Sequence, residues 1–301
     1  MTDYGHPITF GLSIIPSVDS LDETRKLAKS ADAWGLDYIA IQDHAYNPEF
    51  LDVWTLITYL AAETERISFF PDVADLQLRA PTMLAKAAAS LSVLSGGRIV
   101  LGVGGGAFAD GIAGMGAVSR SKREMVAFTD EALLVMRKAL AGGAVEFQGE
   151  QVTVGYSAGP VPPAPIPIWL GSNGPRMLAL TGRASDGWVT PLNIYVPPEE
   201  VASRQHVIDE AARGAGRKPA DVRRIYNVVG TIGRGRGSGL IGDVQTWIDA
   251  LTDWALDLGL DTFVFWPKNA PLAQLEVFAN EVVPGVRQRV SERRGLRVTP
   301  R

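Results

Sequence analysis

The sequence contains no cysteine and only three histidines among its 301 residues. Without thiols, the chain forms no disulfide, holds no zinc finger or iron–sulfur cluster, and uses no cysteine nucleophile. Redox chemistry would therefore require a bound organic cofactor, or a metal held by nitrogen and oxygen ligands. Because histidine is so scarce, its position in the chain is informative.

The sequence also lacks a strong excess of charge and long apolar runs. Its 29 basic and 33 acidic residues give a formal net charge of −4, and 46% of its residues are hydrophobic. This balance gives no broad attraction to nucleic acid or anionic membranes, and the apolar content excludes a disordered chain. No run of about twenty apolar residues occurs, and the N-terminus lacks the basic region of a signal peptide. We therefore expect a cytoplasmic protein with a small-molecule substrate and no nucleic-acid or membrane partner.

Eight short, continuous apolar runs alternate with longer segments of helical periodicity. Continuous apolar character is typical of strands buried on both faces of a parallel sheet. Eight such strands in this length match an α/β fold of the (β/α)8 TIM barrel type, with an open doubly wound sheet as the alternative. An open sheet usually carries a glycine-rich loop after its first strand, and residues 14–17 are not glycine-rich. The runs are residues 8–15, 38–41, 67–70, 99–103, 166–170, 187–190, 225–232 and 262–266.

We predict one barrel domain over residues 1–301, with excursions after the fourth and seventh strands. Residues 146–156 predict a hairpin in the first excursion, and the glycine- and arginine-rich residues 233–239 form the second. The proline-rich residues 155–167 predict an irregular connector.

Two helix starts carry recognisable caps. Ser20 with Glu23 three residues later predicts a capping box for a helix that ends near Gly35. Asp52 is the predicted N-cap of a helix that ends near Glu65.

His44 is the histidine that the predicted topology places at the catalytic face. Active sites of such barrels lie at the carboxyl ends of the strands, and His44 directly follows the second strand. An imidazole there suits general acid–base chemistry near neutral pH, with a structural bond to a loop carbonyl as the alternative. His206 lies one helical turn before Glu210, but no third metal ligand accompanies them.

Two glycine-rich loops follow predicted strands. Residues 102–106 read Gly-Val-Gly-Gly-Gly, which permits positive φ and close approach of a ligand, or simply forms a tight turn. Residues 171–176 read Gly-Ser-Asn-Gly-Pro-Arg at the start of a helix. Helix N-terminal N–H groups beside such side chains predict an anion site, with plain capping by Ser172 or Asn173 as the alternative.

The remaining candidates carry weaker signals. Asp72 and Asp75 suit acid–base work, or a salt bridge with Arg79. Lys268 follows the last strand, where a desolvated lysine would suit Schiff-base chemistry. Substrate-binding aromatic walls for a flat ligand are predicted at Tyr46, Tyr195 and Trp266.

Several strings together resemble the luciferase-like flavin monooxygenase superfamily. The most specific is Leu-Ser-Gly-Gly-Arg at 94–98, between Leu-Arg-Ala-Pro at 78–81 and Leu-Gly-Val-Gly at 101–104. Further matches are Ala-Trp-Gly-Leu-Asp at 33–37, Asp-His at 43–44, Gly-Ser-Asn-Gly-Pro at 171–175 and Asp-Gly-Trp at 186–188.

The resemblance implies a (β/α)8 barrel that binds FMN or the deazaflavin coenzyme F420 at its mouth. It also implies a non-proline cis peptide in the third βα loop, which would fall between Asp72 and Val73. The phosphate of the cofactor would lie at residues 171–176. The implied cofactor-binding residues are Asp43, Asp72, Val73, Gly104, Gly105, Gly106, Gly171, Ser172, Asn173, Gly174, Pro175 and Arg176.

The F420-using branch resembles this chain more than the FMN-using branch does, through Asp43-His44 and residues 174–177. The resemblance implies that His44 is the catalytic acid–base group. Ala107 stands where that branch often carries a glutamate, so a second acid is missing and a sugar-phosphate substrate is not favoured. Residues 107–119 instead suggest a lid over an apolar substrate. The resemblance also implies a homodimer.

The leading hypothesis is an F420-dependent oxidoreductase that transfers a hydride between the deazaflavin and a small organic substrate. One alternative is an FMN-dependent luciferase-like monooxygenase that uses reduced flavin and O2. A second is a non-catalytic flavin-binding barrel in which His44 is structural, and a third is a Schiff-base aldolase that uses Lys268.

Overall fold

The computed structural model describes residues 3–118 and 120–295. Twelve strands are numbered in chain order, and eight of them form a parallel barrel. They are β1 (Thr9–Ile14), β2 (Tyr38–Ile41), β3 (Ser68–Pro71), β4 (Ala74–Asp75), β5 (Leu101–Gly104), β6 (Gly143–Gln148), β7 (Thr153–Ala158), β8 (Ile168–Gly171), β9 (Gly187–Leu192), β10 (Arg223–Ile232), β11 (Leu240–Gly242) and β12 (Thr262–Pro267).

The barrel closes between β3 and the chain that leads into β5. Its strands neighbour one another in the order β3-β2-β1-β12-β10-β9-β8-β5. Phe69 N donates to Arg98 O at 3.1 Å, and Val100 N donates to Phe69 O at 2.9 Å, which joins the two ends of that order. All eight apolar runs therefore became barrel strands. The TIM barrel prediction is confirmed, and the open-sheet alternative is wrong.

Helices cover the outside of the barrel. Short 3-10 turns lie at Val18–Ser20 and Pro219–Asp221, and a π-helical turn at Phe278–Val282 separates the last two helices. The α-helices are α1 (Leu21–Ala33), α2 (Val53–Ala62), α3 (Pro81–Ser95), α4 (Ala109–Gly114), α5 (Lys122–Ala141), α6 (Pro175–Ala184), α7 (Pro198–Gly214), α8 (Val244–Asp257), α9 (Pro271–Val277) and α10 (Val283–Arg293). None of the helices in the described ranges is long and apolar enough to cross a bilayer.

The two predicted helix caps have different outcomes. Asp52 Oδ1 accepts from Thr55 N at 2.9 Å, which confirms this cap, although α2 ends at Ala62 rather than near Glu65. Ser20 is the N-cap residue of α1, as predicted, but the predicted capping box is wrong, because the chain already turns before α1 begins. Ser17 starts that turn and accepts from Asp19 N at 3.4 Å, whereas Ser20 makes no side-chain cap bond.

Both predicted excursions are present. Strands β6 and β7 form an antiparallel hairpin, and the Glu131 carboxylate holds its turn through the N–H groups of residues 150–152. The irregular connector therefore begins after Ala158, because residues 155–158 pair with residues 143–146. After β10, residues 233–239 lead into β11, which pairs with β10. Helix α4 lies within the predicted lid, whose last residue, Ser119, lies outside the described residues.

The barrel interior is plugged by aromatic rings below the mouth. The ring of Trp169 lies 5.3 Å from that of Tyr38 and 5.0 Å from that of Phe70, in edge-on contacts. Because successive side chains of a strand alternate between its faces, the residue two positions after an inward-facing one also faces inward. Asp72 follows Phe70 in this way, and Asn227 follows Ile225, so polar groups stand directly above the plug.

Candidate active site

The carboxyl ends of the barrel strands surround a cavity of about 540 Å³. This volume lies in the range of sites that bind drug-sized ligands. Three of the predicted site residues, Gly174, Pro175 and Arg176, lie outside its lining. The predicted residues that line it are Asp43, His44, Tyr46, Asp72, Val73, Asp75, Gly104, Gly105, Gly106, Gly171, Ser172, Asn173, Tyr195 and Trp266.

One wall of the cavity is built around a cis peptide bond. The bond between Asp72 and Val73 is cis, at the position that the sequence resemblance implied. A Cβ on Gly104 or Gly171 would lie 2.6 or 2.9 Å from Cγ2 of Val73. Such contacts are too close for real atoms, so Val73 alone requires glycine at both positions. A φ of +90° similarly favours glycine at Gly106.

His44 stands at the cavity mouth in a network of side chains. Its Nδ1 lies 2.6 Å from Tyr46 Oη, and its Nε2 lies 3.5 Å from Nε2 of Gln42. Each ring nitrogen donates or accepts in these contacts according to the tautomer of the neutral ring. Within the described ranges neither ring nitrogen binds a backbone carbonyl, so the loop-carbonyl bond considered as the alternative for His44 is absent there.

Burial controls the charge of His44. It lowers the pKa of the imidazole below its usual value of 6.5, and the neighbouring Asp43 carboxylate opposes this effect only in part. The ring is therefore mainly neutral at pH 7 and able to take a proton. Burial also raises the pKa of Tyr46 to about 12, so the phenol keeps its proton.

Asp43 is held by the chain itself. Its buried carboxylate accepts from Arg79 Nε at 3.1 Å and Nη2 at 3.2 Å, and from Asp75 N at 3.2 Å. Arg79 Nη2 also donates to Asp52 at 2.6 Å. The partners of Arg79 are therefore Asp43 and Asp52, and the predicted bridge to Asp72 or Asp75 is wrong.

The two carboxyl groups of the third loop occupy different surroundings. Asp75 accepts from Gln77 N at 2.8 Å, and burial raises its pKa. Among the described residues, the Asp72 side chain accepts only from Asn227 Nδ2, at 3.4 Å, and burial raises its pKa to about 7. No hydrogen bond joins the two carboxyl groups within residues 3–118 and 120–295.

The loop at residues 171–176 leaves the start of α6 uncapped by side chains. Ser172 Oγ bonds Thr181 Oγ1 at 2.8 Å, and Asn173 Oδ1 accepts from Arg204 Nε at 2.7 Å. The N-cap is Gly174, without a side-chain cap bond, so the plain capping alternative is wrong. Arg176 makes no hydrogen bond or ion pair within residues 3–118 and 120–295, which leaves its guanidinium available to an anion.

Lys268 and His206 lie outside the cavity lining. Lys268 Nζ donates to Ser238 O at 3.1 Å, so this lysine is not a desolvated Schiff-base nucleophile. No group of three or more metal-ligating side chains occurs in the part of the chain that the structure describes, around His206 or elsewhere.

Comparison with known proteins identifies the family. The luciferase-like monooxygenase profile matches residues 3–236. The chain belongs to the luciferase-like monooxygenase family. Its barrel and the cis peptide in its third loop agree with this membership.

Two curated proteins and one solved structure illustrate the similarity. A 5,10-methylenetetrahydromethanopterin reductase from Methanolobus tindarius is 34% identical over 71% of this chain and 63% of its own length. An F420-dependent glucose-6-phosphate dehydrogenase from Rhodococcus erythropolis is 29% identical over 69% of the chain and 63% of its own length. The F420-dependent tetrahydromethanopterin reductase of Methanopyrus kandleri superposes with a TM-score of 0.80 at 20% identity, covering 93% of this chain and 99% of that structure. The chain thus spans less than two thirds of these curated relatives.

Phe108 and Arg204 are among the site residues that were not predicted. Phe108 presents its ring to His44 edge-on, with ring centroids 5.2 Å apart, and 56% of the residue is exposed. Arg204 reaches Asn173 from α7, 31 positions along the chain. Phe108 follows the glycine loop within the predicted lid, which was a usable signal, whereas nothing local in the sequence indicates the contact of Arg204.

Proposed function

We propose that the chain is an F420-dependent oxidoreductase that transfers a hydride between the deazaflavin and a small organic substrate. The observation that carries the proposal is a neutral, hydrogen-bonded His44 at the mouth of a cavity of about 540 Å³. The names of the relatives support F420 as the cofactor. We also propose that the whole chain is one barrel domain and that it acts as a homodimer.

The residues of the cavity suit a flat ring. Val73 and Trp266 line it as apolar surfaces, and Asp72 keeps a buried carboxyl oxygen without a partner in the described chain. The flat ring would lie against Val73, and its polar edge would meet the polar groups above the aromatic plug. When bound, F420 supplies the hydride-carrying carbon C5, which no side chain of this protein provides.

His44 manages the proton that accompanies the hydride. The neutral imidazole takes a proton at Nε2 when the substrate is oxidised and returns it when the substrate is reduced. Tyr46 holds the ring through Nδ1, so that the imidazolium, once formed, still donates to the phenol oxygen. Asp43, bound by Arg79, lies beside the imidazole and favours its charged form.

The cofactor phosphate would bind at the start of α6. The free N–H groups of this helix and Arg176 offer positive charge to an anion, and Arg204 adds a guanidinium that is paired with Glu200 at 2.9 Å. Because the residues 174–176 lie outside the cavity lining, they would hold a group that extends from the mouth rather than the ring itself.

The mouth favours an apolar substrate. Phe108 and Tyr195 are 56% and 68% exposed and both line the cavity, where their rings can contact a ligand. Ala107 supplies no carboxyl group. We therefore propose that residues 107–118, which include α4, cover a small apolar substrate.

An FMN-dependent monooxygenase is the second candidate. The description of the matching family profile names monooxygenases, and reduced FMN with O2 would place the same ring in the same cavity. A deazaflavin does not form the oxygen adduct that such chemistry needs, so O2 consumption separates the two functions.

The first test is a fluorescence titration of the purified protein with F420 and with FMN at matched concentrations. F420 binding without an FMN response, followed by turnover in a substrate screen, supports the proposal. The reverse preference with O2 consumption supports the monooxygenase. His44→Asn should abolish turnover while cofactor affinity changes little, and unchanged turnover would support a non-catalytic role for His44.

A further inference from the structure

Asp72 stands at the floor of the cavity, away from His44. It follows β3 directly, and its side chain reaches Asn227 on β10, which is on the opposite side of the barrel. The aromatic plug of Tyr38, Phe70 and Trp169 lies below it. The carboxyl group therefore sits between a dry aromatic layer and the space that a ligand fills.

The orientation of Asn227 identifies which oxygen of Asp72 accepts a hydrogen bond. Trp266 Nε1, which can only donate, lies 2.9 Å from one atom of the Asn227 amide, and that atom must be Oδ1. The other atom is therefore Nδ2, which donates to Thr190 O at 2.8 Å and to Asp72 Oδ1 at 3.4 Å. Oδ1 of Asp72 is thus an acceptor, and a proton on this acid belongs on Oδ2.

The Oδ2 atom of Asp72 is buried and has no partner among the described residues. A buried carboxylate normally binds several donors or a cation, because an uncompensated charge in a dry site is costly. Asp43 shows the contrast in the same cavity, since Arg79 binds both of its oxygens. Asp72 has only one long hydrogen bond from a neutral amide.

The titratable side chains of the cavity lining do not compensate for a negative charge on Asp72 either. None of the strands β9, β10 and β12 contributes a titratable side chain to the cavity lining. The Arg79 guanidinium is committed to Asp43 and Asp52. The titratable groups that share the lining with Asp72 are Asp43, His44, Tyr46, Asp75 and Tyr195.

We infer that Asp72 is a second proton-holding group of the cavity, protonated on Oδ2, and that a ligand which fills the cavity keeps this proton in place. The inference deepens the proposed function, because it concerns the same cavity. It supplies an acid on the floor of the site in a chain that has Ala107 where relatives of the F420 branch often carry a glutamate. Burial, which raises the pKa of Asp72 to about 7, agrees with it.

A bound ligand strengthens this preference. It expels the remaining water above Asp72 and so penalises the carboxylate further. Above neutral pH, binding must therefore be accompanied by uptake of one proton, and the affinity of the wild-type protein should fall by up to about tenfold per pH unit. An asparagine at this position keeps the amide-bonded shape without a titratable proton.

The first arm of the test needs no ligand. Carboxyl resonances of the full chain, labelled with ¹³C-aspartate, are followed against pH in the wild type, Asp72→Asn and Asp110→Asn. Asp110 is exposed on α4 and serves as the matched control for the loss of one aspartate. We expect a resonance that titrates near neutral pH, is absent in Asp72→Asn and remains in Asp110→Asn. A resonance of Asp72 that titrates below pH 5 would overturn the inference.

The second arm measures F420 affinity from pH 6 to 8.5 by fluorescence. The ratio of wild-type to Asp72→Asn affinity removes the titration of the ligand itself. We expect this ratio to fall with rising pH, while the ratio of wild type to Asp257→Asn, a change at an exposed position of α8, stays constant. A ratio to Asp72→Asn that is independent of pH contradicts the inference. If no variant binds F420, the proposed function fails, while the resonance titration still decides the state of Asp72.

Discussion

The Nδ1 atom of His44 lies 2.6 Å from the hydroxyl oxygen of Tyr46, only two residues along the chain. The short loop after β2 therefore carries both the proton-transfer group and the side chain that orients it. This arrangement fixes which ring nitrogen faces the cavity. A substitution of Tyr46 should therefore alter the ring spectrum of His44.

Tyr46→Phe should weaken catalysis without removing the cofactor site. The variant loses the hydrogen bond to Nδ1, and we expect kcat to fall about tenfold, a part of the 10²–10⁴-fold that general acid–base catalysis supplies. Ring ¹⁵N spectra report the protonation of His44 directly, because the chain has only three histidines. In the wild type the midpoint should lie below 6.5, since burial lowers the pKa.

Tyr195→Phe is the control for Tyr46→Phe, because it removes another phenol of the same mouth that is not bonded to His44. It should leave the ring spectrum of His44 unchanged. If Tyr46→Phe also left both the spectrum and kcat unchanged, the orienting role of Tyr46 would be wrong.

Much of this fold follows from local pattern, because continuous apolar runs mark buried parallel strands wherever they occur. The position of the cis peptide followed from family resemblance in the strings around Leu78 and Gly102. Contacts between distant parts of the chain did not follow. The partners of Arg79 lie 36 and 27 positions away, at Asp43 and Asp52, and the choice among four nearby carboxylates depends on how the loops pack.

The glycine loops show the same limit. Their sequence suggests room for a ligand, yet the structure explains Gly104 and Gly171 by the side chain of Val73. Spacing along the chain identifies a glycine that is required, but only the fold shows which group occupies the space where its Cβ would be.

Gly171→Ala should destabilise the protein through Val73. The new methyl group would lie 2.9 Å from Cγ2 of Val73, and overpacking of this kind costs about 1–3 kcal/mol of unfolding free energy. Val73→Ala should restore part of that loss in the double variant. Urea denaturation measures both effects, and Gly174→Ala is the control, since nothing lies within 4 Å of its Cβ position. Strictly additive effects in the double variant would show that Val73 is not the obstacle.

Arg204→Gln should weaken binding of the cofactor phosphate. The side chain is 19% exposed and reaches Asn173 beside the start of α6. We expect the wild type to bind F420 more tightly than the same deazaflavin without its phosphodiester. The variant should lose about tenfold of this preference, because it loses one charge-assisted hydrogen bond of about 1.5 kcal/mol.

Arg183→Gln, at the other end of α6, is the control for Arg204→Gln, because each guanidinium pairs with one carboxylate, Arg183 with Asp130 and Arg204 with Glu200. It should retain the full preference, as measured by fluorescence titration of both ligands. An equal loss in the two variants would point to general charge rather than to a site at residues 171–176.

Asp209→Asn should unfold the protein more easily. Arg224 is fully buried, and its Nη2 donates to Asp209 Oδ1 at 2.6 Å, while Tyr4 Oη donates to Oδ2 at 2.8 Å. Removal of one partner leaves a buried guanidinium uncompensated, which costs about 3–5 kcal/mol. Glu210→Gln breaks the exposed pair with Arg213 and should cost less than about 1 kcal/mol. Similar urea midpoints for the two variants would contradict this account.

Asp72→Asn should change how stability depends on pH. The unfolded carboxyl has a pKa of about 3.9, whereas burial raises the folded pKa to about 7. Between these values the folded protein binds more protons than the unfolded chain, so the unfolding free energy of the wild type falls as pH rises. The contribution of Asp72 to this pH dependence reaches about 1.4 kcal/mol per pH unit, and this contribution should be absent in Asp72→Asn. Denaturation curves at pH 5, 6 and 7 measure the difference in unfolding free energy between the two proteins. This difference should grow in favour of the variant as the pH rises. A difference that stays constant over this range would mean that Asp72 is ionised in the folded protein at pH 5.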